Sequence, residues 1–457
     1  MSQQAQSRAI TSATMCAAVA LALGAAPAFA GNTTPYIVGG NCAKLPQDRA
    51  TEFHGNPKKA DLFLGMAGNQ WTVFENVLRA YNGYRGIDNT APDYKTNYTQ
   101  KDLRSDSRDY YVELIPPGTI RDQIKSACMT LGNDEVDITD RNFLPLNIQV
   151  DFDVFTSTTY SLMQDLALNG YITQSMPYTK NKLALAVQDG NPHGIGTGAL
   201  HDTVARTGNT TYDKVADLAL DLLDPNVPVS EVDHINEGIH TSINQMYQAM
   251  DAYVRAHGTA GQIAELNTRL AAVATPQDGS PGKTRPLAEN IPAAPFVLAN
   301  NSDCKNADGT LRMCEYAILN KANTYETRVH HVETPERVRA DTSWTGPQWV
   351  TELVYAQTAQ AANPNLEKLV DVVVPGDVNK PQTYSIALLA TSGNPTLAQN
   401  FIDWVRSPAG QDVYVNQGGF LPLTDTELAG GECYSVTVAA DGTRTLNKTT
   451  RVNNTCP

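Results

Sequence analysis

The segment 61–82 (DLFLGMAGNQWTVFENVLRAYN) constrains the fold of this chain more than any other stretch. An apolar run at Leu62–Leu64 predicts a buried strand that breaks at Gly65 and Gly68. From Asn69 onward, apolar side chains recur at helical spacing, which predicts a helix with Asn69 as its N-cap. A strand, a glycine turn and a helix in this order are typical of α/β folds. The start of such a helix presents unpaired N–H groups that suit an anion or a polar ligand, although every βα unit shares this property.

A second unit of the same kind lies further along the chain. The segment 150–156 (VDFDVFT) predicts a strand, the hydroxyl run Thr156–Thr159 a polar turn, and Tyr160–Leu168 a helix. The hydroxyl run can bind an oxyanion or simply cap the helix. Strands alternate with helices almost throughout, which predicts α/β architecture with mostly parallel sheets. Ligands of such sheets bind outside the carboxyl ends of the strands, so the two turns are candidates for a shared site.

The N-terminal thirty residues are typical of a secretory signal. Arg8 is the only charged residue among them, Met15–Leu23 is apolar, and Ala28-Phe29-Ala30 provides a small-x-small cleavage site. The apolar core is too short to span a bilayer comfortably. We therefore expect a cleaved signal peptide over 1–30 and an exported, periplasmic protein.

Six cysteines lie beyond the predicted signal, and an even number in an exported chain indicates disulfides. Their spacing leaves many pairings open. Cys304 and Cys314 bracket a short polar loop, and Cys433 and Cys456 bracket the C-terminal tail. If these two pairs form, Cys42 is left to pair with Cys128.

Composition excludes several classes of function. The formal net charge of −14 over 457 residues argues against nucleic acid and anionic membrane surfaces as partners. The length favours two or more domains. The sequence contains no GxSxG, Walker A, HExxH or EF-hand motif, and the glycine-rich run 189–198 is best interpreted as a plain loop. We therefore predict a non-enzymatic protein without a cofactor.

One cluster could bind a metal ion. His330, His331 and Glu333 lie almost next to each other, but adjacent side chains diverge on a helix or a strand. Thr334-Pro335-Glu336 is typical of a helix start with proline in the first turn. A helix entry is therefore the preferred interpretation of this segment, and no metal site is predicted.

The order of segments resembles the periplasmic solute-binding proteins of the molybdate/tungstate-binding type. The similar segments are LFLGMAGNQWTVFENVLRAY (62–81), DVFTSTTY (153–160), YTKNKLALAVQDGNP (178–192), TRVHHVETPERVRADTSWTGPQWVTEL (327–353) and YSIALLATSGNPTLAQNFIDWVRSPAGQDVYVNQGGF (384–420). Together they cover about half of the chain that follows the predicted signal. No single motif is specific, and their order and spacing carry the resemblance.

The resemblance implies two α/β lobes joined by crossover strands, with the ligand in the cleft between them. Lobe 1 is expected to comprise 31–178 and 384–457, and lobe 2 to comprise 179–383 with an insertion at about 258–315. The expected ligand-binding residues are Asn69, Gln70, Ser157, Thr158, His240, Thr241, Trp349 and Thr351. Asn69-Gln70 replaces the small residue and serine usual at the first turn, and Trp349 stands where tyrosine is common. The alternatives to molybdate as the ligand are therefore another oxyanion or a larger polar solute.

The function implied is capture of a small ligand, an oxyanion of the molybdate/tungstate class, for delivery to the membrane permease of an ABC importer. We expect a monomer. The alternative is an exported protein that senses a ligand or binds a metal ion without a role in transport.

Overall fold

The structure is a computed structural model of the full chain. It describes residues 36–37, 52–55, 60–84, 110–126, 129–131, 146–149, 152–232, 234, 237–277, 296–327, 333–451 and 455–456. The predicted signal peptide, Cys42, Cys128, His330 and His331 lie outside these residues, so the predictions made for them stay predictions.

The described residues form short strands alternating with helices, as the sequence predicts. The strands are β1 (Tyr36–Ile37), β2 (Glu52–Gly55), β3 (Phe63–Ala67), β4 (Tyr111–Ile115), β5 (Met129–Leu131), β6 (Leu146–Gln149), β7 (Val154–Ser157), β8 (Gln174–Asn181), β9 (Leu183–Gln188), β10 (Val229–Glu231), β11 (Thr324–Glu326), β12 (Gly346–Trp349), β13 (Leu369–Asp371), β14 (Gln382–Leu388), β15 (Glu432–Val438) and β16 (Arg444–Thr450).

The helices are α1 (Trp71–Tyr84), α2 (Pro117–Ser126), α3 (Tyr160–Leu168), α4 (Thr210–Leu223), α5 (Ile239–His257), α6 (Ala260–Ala272), α7 (Glu315–Leu319), α8 (Glu333–Arg339), α9 (Val350–Ala362), α10 (Pro395–Arg406), α11 (Pro408–Asp412) and α12 (Asp425–Ala429). The predicted helix Tyr160–Leu168 is confirmed as α3. A 3₁₀ turn at Gly68–Gln70 leads into α1, so Asn69 lies within that turn and the prediction that it caps the helix is wrong.

Eight strands form one large sheet in the order β16-β15-β8-β14-β7-β3-β4-β2. Only the β4–β3 and β3–β7 pairs are parallel, and the other neighbours are antiparallel. The α/β fold is therefore confirmed, but the sheet is mixed and the expectation of mostly parallel strands is corrected. The reason is connectivity: β8 and β14 are the strands by which the chain leaves this sheet and returns to it, and β15 and β16 form a hairpin.

The chain between β8 and β14 builds a second group of small sheets and helices. Strand β9 pairs with β12 and β13, both antiparallel, and β10 pairs with β11 in parallel. Strands β8 and β9 are separated by Lys182 alone, so the chain passes almost directly from one group to the other. We call the two groups the large-sheet lobe and the helical lobe. The residue boundaries given above for the lobes stay a prediction.

Each lobe has its own buried core. Alternate residues of β3 face opposite sides of the large sheet: Leu64 packs in the cluster that contains residues of α1 and α10, and Phe63 packs with α2 and α3. Gly65 lies within β3 and does not break it. A Cβ atom there would lie 2.6 Å from Ile120 Cγ2, so the packing of the strand against α2 requires glycine at this position. The core of the helical lobe is formed largely by α4, α5 and α6. Helix α6 is thus part of this core, although its sequence belongs to the expected insertion.

Two of the predicted disulfides are confirmed. Cys304–Cys314 and Cys433–Cys456 have S–S distances of 2.03 Å and 2.02 Å. In the part of the chain that the structure describes, no helix has the length and apolar character needed to cross a bilayer.

Candidate ligand-binding cavity

A small cavity of about 30 Å³ lies between the two lobes, and both contribute to its wall. We call it the interlobe cavity. The lining residues are Ala67, Gly68, Asn69, Pro116, Pro117 and Thr158 from the large-sheet lobe and Glu237, Gly238, Ile239 and Trp349 from the helical lobe. A volume of this order holds one or two water molecules, which suits a compact ligand rather than a drug-sized one.

The sheet order explains why residues distant in sequence meet here. Strands β7, β3 and β4 are neighbours and run in parallel, so their carboxyl ends lie at the same edge of the sheet. The chain segments that follow these three strands supply Thr158, Gly68 and Pro116 respectively. Such an edge is the usual ligand position in open α/β sheets.

Five helices begin at this cavity. On the large-sheet side, α1 follows the lining turn at Gly68–Gln70, α2 begins at Pro117, and α3 begins two residues after Thr158. On the other side, α5 begins at Ile239 and α9 begins directly after Trp349. A helix N-terminus carries partial positive charge and N–H groups that have no partner within the helix. Backbone dipoles of both lobes therefore contribute partial positive charge to the interlobe cavity.

Asn69 is brought to the cavity as predicted. It is only 4 % exposed, and its Nδ2 donates a hydrogen bond to the Tyr384 hydroxyl of β14. Burial raises the pKa of Tyr384 well above its ordinary value, so the hydroxyl stays protonated at neutral pH. The side chain of Asn69 is thereby anchored against the sheet.

Gln70 does not line the cavity, although it follows Asn69 directly. Its Nε2 donates to Thr156 Oγ1 at 3.1 Å, and its Oε1 accepts a hydrogen bond from the Tyr414 hydroxyl at 2.8 Å. The side chain is fully buried. Gln70 therefore holds the turn against the strands beneath it.

At the second predicted turn, too, one of the two predicted residues lines the cavity and the other does not. Thr158 lines the cavity, whereas Ser157 is buried and its Oγ accepts a hydrogen bond from the Thr159 N–H at 2.9 Å. Ser157 thus supports the turn that leads into α3.

Three of the four residues predicted from the helical lobe lie beside the cavity rather than on its wall. His240 Nδ1 lies 3.2 Å from Glu315 Oε2, and Thr241 Oγ1 lies 3.3 Å from His240 Nε2. Thr351 is buried and accepts a hydrogen bond from Asn181 Nδ2 at 3.0 Å. These side chains support the first turns of α5 and α9, which do reach the cavity.

Trp349 is the predicted helical-lobe residue that does line the cavity. It is 2 % exposed, and its ring centroid lies 6.0 Å from that of Tyr384 in the large-sheet lobe. Its backbone N–H donates to Glu352 Oε2 at 3.0 Å. Trp349 therefore provides an apolar side of the cavity and a contact between the lobes.

Sequence reasoning missed the wall formed by Pro116, Pro117, Glu237 and Gly238. Glu237 is 3 % exposed and accepts a hydrogen bond from Thr327 Oγ1 at 2.6 Å. The proline pair offered a usable signal, because proline is favoured in the first turn of a helix. The turn before α5 carries no comparable signal.

The structure offers no metal centre in the part of the chain that it describes. No three carboxylate, imidazole or thiol side chains are grouped so as to hold an ion among those residues. Glu333, which follows His330 and His331 closely in the sequence, pairs with Arg337 at 2.7 Å on α8.

Comparison with known structures finds low similarity to several binding proteins. The substrate binding domain of a putative molybdenum ABC transporter from Clostridium difficile has 11 % identity and a TM-score of 0.40, covering 79 % of this chain and 99 % of that one. The periplasmic molybdate-binding protein of Azotobacter vinelandii has 10 % identity and a TM-score of 0.41, covering 80 % and 100 %. Iron-bound HitA from Pseudomonas aeruginosa has 13 % identity and a TM-score of 0.42, covering 80 % and 86 %.

These values are too low for the structural similarities to indicate a ligand. No curated protein sequence matches the chain. A family model described as bacterial extracellular solute-binding protein matches residues 91–420, which is well over half of the 457 residues. The members of this family are binding proteins rather than enzymes. The chain therefore belongs to the bacterial extracellular solute-binding proteins, the type that serves ABC transporters.

Proposed function

We propose that this solute-binding protein captures a compact oxyanion in the interlobe cavity and delivers it to the membrane permease of an ABC importer. The observation that carries the proposal is that helices from both lobes begin at the same small cavity. Because each helix start contributes partial positive charge, an anion in the cavity is stabilised by both lobes at once, and more than by either lobe alone.

The size of the cavity supports a compact ligand. About 30 Å³ is far below the roughly 300–1,000 Å³ of sites for drug-sized ligands. Trp349 and the proline pair enclose the space with apolar surface, which strengthens hydrogen bonds to a desolvated anion. A tetrahedral oxyanion of the molybdate or tungstate class matches this combination of small size and many oxygen acceptors.

The charges near the cavity limit the affinity. Among the described residues that line it, none is lysine or arginine, and Glu237 is acidic. Neutral N–H and O–H donors can nevertheless hold an oxyanion in a desolvated site. We therefore assign recognition to backbone N–H groups, with Asn69 and Thr158 as the uncharged polar residues that line the cavity.

The test introduces a negative charge into the wall. We expect Thr158→Asp to weaken oxyanion binding at least about a hundredfold, because a carboxylate beside the bound anion costs several kcal/mol at short range. The measurement is calorimetric titration of the purified protein with molybdate, tungstate, sulfate and phosphate. Thr211→Asp is the matched control, since Thr211 is half-buried in the first turn of α4 and does not line the cavity.

The outcomes are distinct. Saturable binding of at least one anion, lost in Thr158→Asp and kept in Thr211→Asp, supports the proposal. Equal binding by all three proteins places the anion elsewhere, and no binding of any of the four anions refutes the oxyanion class.

A further inference from the structure

A pair of glycines, Gly418 and Gly419, lies where the large-sheet lobe meets α9 of the helical lobe. The pair follows a π-helical turn at Val413–Gln417 and belongs to the last of the segments that carry the family resemblance. A Cβ atom on Gly418 would lie 2.7 Å from Val73 of α1, and one on Gly419 would lie 3.0 Å from Val354 of α9. The backbone of the pair is therefore packed between one helix of each lobe.

The contact between Gly419 and α9 involves the whole side chain of Val354. A Cβ atom on Gly419 would lie 3.0 Å from Val354 Cγ2 and 3.2 Å from both Cβ and Cγ1. Valine in a helix has one strongly preferred rotamer, so this side chain cannot easily turn away. A side chain at residue 419 would therefore push α9 and the glycine segment apart.

The large-sheet lobe holds the residues after the glycine pair in place. The Phe420 N–H donates to Tyr414 O at 3.1 Å, and the Leu421 N–H donates to Lys180 O at 2.8 Å. The ring of Phe420 is buried, and its centroid lies 5.8 Å from that of Tyr384. We therefore expect a larger residue at position 419 to displace α9 rather than this segment.

The position of α9 in turn affects the interlobe cavity. The helix begins directly after Trp349, which lines the cavity, and Val354 lies in its second turn. The next residue, Tyr355, meets Trp71 of α1, with ring centroids 4.4 Å apart. Displacement of α9 would therefore separate these rings and open the cavity on the side of Trp349.

The turn itself offers a simpler reason for a glycine at this position. Gly419 has a φ of 71°, in the left-handed region that favours glycine. Asparagine separates the two explanations, because it adopts this region more readily than most other residues but adds a side chain.

We propose that Gly419 is a positioning residue for ligand capture: the missing side chain lets α9 close against the large-sheet lobe, and this contact sets the fraction of the protein in the enclosed form. The inference rests on the proposed function, because the enclosed form is the one that surrounds the bound oxyanion. A substitution that disfavours only this form lowers the apparent affinity in proportion to the fraction lost.

The test is calorimetric titration of the full chain with molybdate, tungstate, sulfate and phosphate. We expect Gly419→Asn to weaken anion binding at least about tenfold, because overpacking of a close contact disfavours the enclosed form. Gly442→Asn is the matched control and should bind like the wild type, since Gly442 has a φ of 84° and no atom within 4 Å of a built Cβ. Val354→Ala removes the opposing methyl groups. The double variant Gly419→Asn/Val354→Ala should therefore bind nearly as tightly as Val354→Ala alone.

A measurement without ligand separates this inference from the proposed function. Trp71 and Trp349 are two of the four tryptophans of the chain, and both make ring contacts between the lobes. Acrylamide quenching of tryptophan fluorescence should increase in Gly419→Asn and return towards the wild-type value when Val354→Ala is added. If the wild-type protein binds none of the four anions, the proposed function fails, and the quenching still decides this inference.

Three results would overturn the inference. They are wild-type affinity and quenching in Gly419→Asn, an equal change in Gly442→Asn, and no recovery when Val354→Ala is added to Gly419→Asn. A second pair of variants decides the matter if Gly419→Asn fails to fold. Val354→Phe enlarges the same contact from the side of α9 and should weaken binding and increase quenching. Thr358→Phe, at an exposed position of the same helix, should do neither, and equal behaviour of these two variants would also overturn the inference.

Discussion

Lys321 shows how strongly burial changes the pKa of a side chain in this protein. The residue is completely buried, and its ammonium nitrogen donates to Asp224 O at 3.0 Å and also to Val227 O. Burial lowers the pKa from 10.5 to about 7, although the nearby Asp224 and Glu231 favour the charged form. Carbonyl oxygens thus satisfy the hydrogen-bonding groups but do not repay the cost of burying the charge.

This pKa predicts a pH dependence of stability. Between pH 7 and 10.5 the unfolded chain holds a proton on Lys321 that the folded chain lacks, so the free energy of unfolding rises with pH across this window. The rise is at most about 1.4 kcal/mol per pH unit. In urea unfolding at pH 7 and pH 9, we expect Lys321→Met to remove this increase.

Lys368→Met is the control, because Lys368 is exposed and pairs with Asp189 at 3.2 Å. It should leave the increase unchanged. An identical pH response in wild type and Lys321→Met would show that Lys321 keeps its proton in the folded protein.

At the scale of elements, the contact between β3 and α2 positions two walls of the interlobe cavity. Gly65 of β3 lies against Ile120 of α2, and the residues after β3 and before α2 line the cavity. The helix can approach the strand this closely only because residue 65 has no side chain. The same contact explains why this strand position is occupied by glycine, which the sequence alone suggests as a break.

We expect Gly65→Ala to destabilise the protein by about 1–3 kcal/mol, because the added methyl group forces α2 away from the sheet. Gly118→Ala is the matched control: Gly118 lies in the first turn of α2 with no atom within 4 Å of its built Cβ. That change should be neutral or stabilising. The midpoints of urea unfolding measure the stability of both variants. A Gly65→Ala variant as stable as Gly118→Ala would contradict the packing argument.

At the scale of the whole molecule, the two lobes also touch outside the cavity. Trp71 of α1 and Tyr355 of α9 have ring centroids 4.4 Å apart and meet edge to face. Tyr355 is 46 % exposed, so its role in packing lies mainly in this contact between the lobes. Contacts of this kind favour the arrangement in which the cavity is enclosed.

We therefore expect Tyr355→Ala to weaken oxyanion binding about two- to tenfold, since an aromatic pair contributes about 0.5–1.5 kcal/mol. Calorimetric dissociation constants for the tightest-binding anion provide the measurement. Tyr325→Ala is the control, because Tyr325 has similar exposure but lies on β11 and does not line the cavity. Unchanged affinity in Tyr355→Ala would mean that this contact contributes nothing to the enclosed form.

The sequence by itself determined the alternation of strands and helices, the helix 160–168 and the two turns that reach the cavity, because hydrophobic period and turn chemistry are local. It did not determine strand direction, which depends on where the chain crosses between lobes. Nor did it separate Asn69 from Gln70 or Thr158 from Ser157. Only the tertiary structure decides which polar side chain faces the cavity, because that choice depends on partners such as Tyr384 and Tyr414 that lie more than three hundred residues away.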